Sequence, residues 1–219
     1  MPEIPEFYFN SLPDGGEFHT AAGLLRKVGE DGRLLPFRGE TTVFLLGEDA
    51  KEALALLQDR IYSAAGEMLC RDRLSREHFH LTLHDLWNEA AEARSPGYSR
   101  VQVKAVLESI RRDFEKPIRL RAISLLSMVC TSVVLALVPA GDEDEAALNE
   151  MYERLQEIWP LGYGLTPHIT LAYYRPGVYP QELWSRLGAA FAIEEFELVI
   201  SAEHLIFQRF EDMDSYREI

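Results

Sequence analysis

The sequence predicts an α+β protein built as a bilobal internal duplication, with two antiparallel sheets backed by helices around a central groove. Two observations carry this prediction. The run Phe79-His80-Leu81-Thr82-Leu83 is matched over its last four positions by His168-Ile169-Thr170-Leu171, with Pro167 before it. Around each copy the order of elements is also shared: strand, long amphipathic helix, His-x-Thr strand, shorter helix and closing strand.

In chain order, residues 1–22 are rich in Pro, Gly and polar groups without a clear period and read as an irregular N-terminal extension. Residues 23–28 and 33–37 flank Glu30-Asp31-Gly32 and suggest a hairpin, which closes an N-terminal region of residues 1–35. Thr41-Thr42-Val43-Phe44-Leu45-Leu46 is rich in β-branched and large apolar residues, as a strand requires. From residue 49 to 70, Leu54, Leu57, Ile61, Ala64 and Met68 recur at three or four, which gives a helix with one apolar face. The first His-x-Thr strand is expected at 78–84, a loop at 86–97, and a second helix at 99–115 with Val103, Val106, Leu107, Ile110 and Phe114 on one side.

Residues 118–138 supply two strands, and Gly141-Asp142-Glu143-Asp144-Glu145 opens a helix whose acidic first turn suits the positive end of its dipole. After the second His-x-Thr strand, Pro176-Gly177 breaks the chain, Pro180 starts a short helix, and strands near 196–201 and 204–210 finish the fold. Residues 36–219 are thus expected to form one bilobal domain with lobes of about 36–117 and 118–219, strand exchange between them being allowed.

Composition narrows the partners. Among 219 residues, 36 acidic against 22 basic side chains give a formal net charge of −14, and no Lys/Arg cluster is visible. Such a balance repels long duplex nucleic acid and favours a small phosphorylated substrate. Two cysteines in apolar surroundings, Cys70 and Cys130, have no metal or redox spacing and fit reduced core thiols in a cytoplasmic protein; a monomer is expected. The N-terminus lacks the pattern of a secretory signal. Residues 122–141 carry no charge, but their Ser, Thr, Pro and β-branched content favours paired strands over a membrane span.

In a strand, alternate side chains share a face, so His80 lies with Thr82, and His168 with Thr170, opposite the aliphatic residues between them. Two such strands would hold two imidazoles and two hydroxyls around one small cavity. Imidazole titrates near pH 6.5, so one ring can be neutral and the other protonated. This is what in-line displacement at phosphorus needs: a base that takes a proton from water and an acid that protonates the leaving oxygen. The Thr hydroxyls would donate to the non-bridging oxygens, and no cofactor or metal is required. Strict alternation would also put His78 and His84 on the face of His80. Three imidazoles on one face open a metal-hydrolase alternative, although Thr166 and Ala172 stand at the equivalent places of the second copy. Arg38, Arg175 and Arg209 are candidate phosphate contacts, and Tyr163, Trp159 and Trp87 are candidate stacking groups.

The paired motifs resemble the signature of the 2H phosphoesterase superfamily, which includes LigT-like 2′,3′-cyclic phosphodiesterases. The segment Pro36-Phe37-Arg38-Gly39-Glu40-Thr41-Thr42, before the first strand, is similar to a Gly-x-Thr lead-in found in one bacterial branch. The resemblance covers roughly residues 36–210. It implies a catalytic pair His80 and His168, with Thr82 and Thr170 binding phosphate. The expected activity is metal-independent hydrolysis of a 2′,3′-cyclic phosphate, or a related phosphodiester, on a small nucleotide or RNA end. His168 is assigned as base and His80 as acid. Members often carry an aromatic or basic residue beyond the second motif, and alternation from His168 selects Tyr174 over Tyr173 and Arg175. A phosphodiesterase for 2′-5′-linked or cyclic oligonucleotides, and a non-catalytic nucleotide- or RNA-binding module, are the alternatives.

Overall fold

The computed structural model describes residues 17–91, 95–180, 182–191 and 196–219. The expected extension over residues 1–16 lies outside them. The chain is α+β, and all of its strand pairs are antiparallel.

The first sheet has the order β10(Ser215–Glu218), β9(Leu205–Asp212), β2(Gly39–Leu45), β3(His80–His84). The second has the order β8(Glu197–Ile200), β4(Ile118–Met128), β5(Ser132–Pro139), β6(His168–Tyr173). Each sheet thus ends on its His-x-Thr strand, with the strand that precedes the long helix beside it. The edges β3 and β6 lie against each other, which closes the groove between the sheets. A small ribbon of β1(Glu17–His19) and β7(Val178–Pro180) completes the set.

Helix α1(Glu48–Ala65) buries Leu54, Leu57 and Ile61 of the periodic residues that predict it, together with Ala65 in place of the half-buried Ala64, and ends before the expected Met68, where Gly66 adopts a φ of 57°. Helix α2(Arg100–Asp113) starts on a capping box: Ser99 Oγ accepts from the Val101 amide, and the Gln102 side chain accepts from the Ser99 amide. Its first turn is fixed to the sheet because buried Glu40 of β2 accepts from Arg100 and from the Tyr98 hydroxyl at 3.0 Å. Helix α3(Asp142–Gln156) buries Leu148, Met151, Tyr152 and Leu155, and its Asp144 accepts from the Arg119 amide at 3.0 Å. Helix α4(Glu182–Ala190) packs on α1 through the buried Leu183 and Leu187. The uncharged stretch near residue 130 forms the β4–β5 hairpin, and no helix among the described residues is long and apolar enough to cross a membrane.

Three expectations need correction. Residues 23–28 do not make a strand: Ala22–Arg26 is a 3-10 helix, and the hairpin is reduced to one bridge, Val28 to Leu34, around Gly32 at φ 81°. The described part of the N-terminal segment is core, since Phe18, Leu24 and Val28 are fully buried. Finally, the strand that follows α2 joins the second sheet, whereas β9 and the unforeseen β10 return from the C-terminal side to the first. Apolar burial is indifferent to chain order, so a strand joins whichever sheet needs its face.

Candidate active site

The register of the two edge strands builds the site. Against β2, His80 pairs with Leu45, Leu81 with Phe44 and Thr82 with Val43, but the next residue of β2, Thr42, faces His84, so Leu83 is a bulge. Against β5, His168 pairs with Ala136, Ile169 with Leu135 and Thr170 with Val134, but the next partner of β5, Val133, faces Ala172, so Leu171 is a bulge. The extra residue stands at the same distance from its histidine in both strands. A bulge resets the alternation of side chains. Before it, His and Thr face the groove; after it, Leu171 and Ala172 are buried away from the groove, Leu83 and His84 are buried at its border, and Asp85 and Tyr173 line it.

The bulge decides the fate of several candidates. Tyr173, not Tyr174, lines the groove; Tyr174 is fully buried, with its ring 4.9 Å from that of Phe18. His84 borders the same cavity but is 1% exposed, with its ring 5.2 Å from Tyr152. Its two nitrogens make no hydrogen bond of good geometry, and burial pushes it down to about 4. His78 sits in a 3-10 turn, Arg76–His78, with Nδ1 3.2 Å from the Asp214 carboxylate. Among the described residues no group of three or more His, Cys, Asp or Glu side chains is placed to hold a metal ion.

His80, Thr82, His168 and Thr170 line one cavity of about 440 Å3. The two rings are anchored in the same way: His80 Nδ1 lies 2.6 Å from the carbonyl of His78, and His168 Nδ1 lies 2.7 Å from that of Thr166. Since a carbonyl only accepts, each Nδ1 carries its proton, and Nε2 is left as the free basic atom of the neutral ring. Burial pushes His80 down to about 4, with the nearby His168 and His78 lowering it further and Asp85 opposing. His168 is also lowered, by burial above all, against the Thr166 carbonyl and Asp85, with the Lys27 ammonium adding a smaller lowering effect. Both rings are therefore neutral at pH 7.

Around this centre, Tyr216 meets the His80 ring edge-on at 4.9 Å, and the Tyr163 hydroxyl reaches Asp85 at 3.3 Å. Buried Gln58 of α1 donates to the carbonyl of the bulge residue Leu171 at 2.8 Å and to that of Leu74 at 3.0 Å. Arg38 and Arg175 do not line the cavity. Arg38 lies within 4.0 Å of Glu89 and Glu211, and Arg175 donates to the Glu30 carbonyl at 2.8 Å. Arg209 pairs with Glu211 at 3.1 Å, and Trp159 packs edge-on against Tyr98. Sequence reasoning missed Lys27, Tyr173, Asp85 and Tyr216. The equal offsets of Asp85 and Tyr173 from their histidines were a usable signal, whereas nothing local marks Lys27.

No family model matches the chain, and no curated protein matches it in sequence. Solved structures do. A conserved Agrobacterium tumefaciens protein of unknown function is similar at a TM-score of 0.63 and 18% identity, over 99% of this chain and 98% of that one. Escherichia coli LigT complexed with phosphate gives 0.52 at 12% identity, over 84% and 96%; LigT complexed with 3′-AMP gives 0.53 at 12%, over 84% and 95%. The Thermus thermophilus protein TT0787 gives 0.54 at 13%, over 83% and 94%. The fold is that of the LigT-like 2H phosphoesterases.

Proposed function

We propose that this protein is a phosphodiesterase that opens a 2′,3′-cyclic phosphate, or a related phosphodiester, on a small nucleotide or RNA end by His/His acid–base catalysis. One observation carries the reading: two His/Thr pairs on edge strands with equivalent bulges, each ring anchored through Nδ1, share one cavity. The cavity's volume falls within the range of small-molecule sites. LigT structures with phosphate and 3′-AMP support the same ligand class for this fold.

In this reading water attacks phosphorus while His168 Nε2 takes its proton. His80, protonated once an anion enters, gives its Nε2 proton to the leaving ribose oxygen opposite the attack. Asp85 favours the charge that His168 gains as base, against the smaller effect of the Lys27 ammonium. His80 borders Tyr216 and the His78–Asp214 pair. The Thr82 and Thr170 hydroxyls donate to the non-bridging oxygens, where they stabilise charge through the transition state. No step calls on a metal, and one chain supplies both pairs, so a monomer suffices.

The test is hydrolysis of 2′,3′-cyclic nucleotides with and without chelator. Chelator-resistant turnover with a bell-shaped pH profile is expected. Binding without turnover would instead make the chain a nucleotide-binding module, and loss of activity in chelator would overturn the His/His scheme. Turnover confined to 2′-5′-linked or cyclic oligonucleotides would move the substrate class but keep the chemistry.

A further inference from the structure

We infer that Lys27 is the residue that neutralises the phosphate in this cavity, which makes the N-terminal segment around it part of the binding site. The inference rests on the phosphodiesterase reading, and it starts from a shortage of charge. A phosphodiester brings one negative charge, and the monoester it becomes brings up to two. The chain carries a net charge of −14, and Asp85 and Asp214 line the cavity beside two imidazoles whose proton affinity burial lowers. Neutral hydroxyls cannot balance this and one protonated imidazole offsets a single charge at most, which calls for a further cation facing the ligand.

Among the described residues that line the cavity, Lys27 is the one Lys or Arg side chain. Its backbone is held on both sides, the amide donating to the Leu24 carbonyl at 2.8 Å and the carbonyl accepting from the Leu35 amide at 2.9 Å. The ammonium stands 5.1 Å from the ring centre of Phe37 and 5.7 Å from that of Tyr173. Ring faces attract and orient a cation without consuming its three N–H donors. No carboxylate among the described residues lies within ion-pairing distance of it, whereas Arg38 and Arg209 are engaged by Glu89 and Glu211, and Arg175 by a backbone carbonyl, away from the cavity. Burial lowers the pKa of Lys27, with Asp85 opposing. An anion in the cavity supplies a close partner. Tyr173 is the first groove-facing residue after the bulge of β6, so the ammonium stands at the end of the His168 strand.

The experiment titrates inorganic phosphate into the full chain and into Lys27→Gln and Lys27→Arg. The readouts are the ring NMR signals of His80 and His168 and the side-chain signal of Lys27. In the unmodified protein all three are expected to move saturably. Lys27→Gln should weaken phosphate binding by about 10-fold or more, and Lys27→Arg should recover most of it, the range of a charge-assisted hydrogen bond. The kcat/KM for a 2′,3′-cyclic nucleotide should fall in parallel. A Lys27→Gln protein with normal circular dichroism that binds phosphate within twofold of the unmodified chain would overturn the assignment. If that variant does not fold, a Lys27 signal in the unmodified protein that ignores saturating phosphate overturns it equally. Phosphate binding through Lys27 with no turnover sinks the enzyme reading alone. Turnover that is indifferent to Lys27→Gln sinks this inference alone.

Discussion

Strands β3 and β6 share a frame and differ in everything hung on it. Both are sheet edges, both carry His-x-Thr, both bulge at a leucine, and both fix Nδ1 on the carbonyl two residues back. Yet the residue that returns to the groove is Asp85 on one strand and Tyr173 on the other, and the flank is His78 with Asp214 on one side and Lys27 on the other. The bulges are also held differently. Gln58 of α1 satisfies the Leu171 carbonyl, whereas beside Leu83 the Thr41 hydroxyl reaches the His84 carbonyl at 3.1 Å. A duplicated frame places two imidazoles at one cavity, and unequal decoration gives them unequal surroundings.

The hardest blow to the comparison is removal of either ring. His80→Ala and His168→Ala should each lower turnover on the true substrate by about 100-fold or more. The double variant should be little worse than either single, because the two act as one unit. Steady-state kinetics on all three proteins checks this, and near-normal rates in both singles would end the equivalence.

A smaller effect should fall on one strand only. Gln58→Leu leaves the carbonyls of Leu74 and Leu171 without their buried donor. The expected cost is about 1–3 kcal/mol in urea unfolding. The ring signal of His168 should shift while that of His80 stays in place. Movement of both signals would mean that the two bulges are coupled through the core.

Asp85 raises the proton affinity of both rings, so it tests whether they titrate together. In Asp85→Asn each imidazolium loses a stabilising negative neighbour and both pKa values fall. The acidic limb, set by the base becoming neutral, and the alkaline limb, set by the acid losing its proton, should then both move to lower pH. A kcat/KM profile in which only one limb moves would assign that limb's residue as the neighbour of Asp85. Least of all should come from Arg38→Gln, which removes only exposed ion pairs and should leave kcat/KM within about twofold.

The legible part of this molecule is what local pattern encodes. The helices follow from residues such as Leu54, Leu57 and Ile61 at helical spacing, and the two strands from their alternating His, aliphatic and Thr residues. The bulges were not legible, because Leu83 and Leu171 are ordinary strand residues and no glycine or proline marks an extra one. The bulge in the second strand exchanged Tyr174 for Tyr173, and the one in the first brought Asp85 to the groove. Lys27 was illegible for another reason: it sits after a short 3-10 turn, and only the folded path brings it to Tyr173. The exchange of β9 and β10 into the first sheet is likewise a product of long-range pairing.

That exchange makes the two halves unequal partners in assembly. Every strand of the sheet bearing His168 lies between residues 118 and 200, whereas the sheet bearing His80 joins residues 39–84 to residues 205–218. Without its late strands, the early hairpin of β2 and β3 is a two-stranded ribbon, marginal in water. The second wall can therefore form first and act as the template on which the first is completed. Pulsed hydrogen exchange during refolding should then protect amides of β4 and β5 ahead of those of β2 and β9, with His80 the later of the two rings to reach its place.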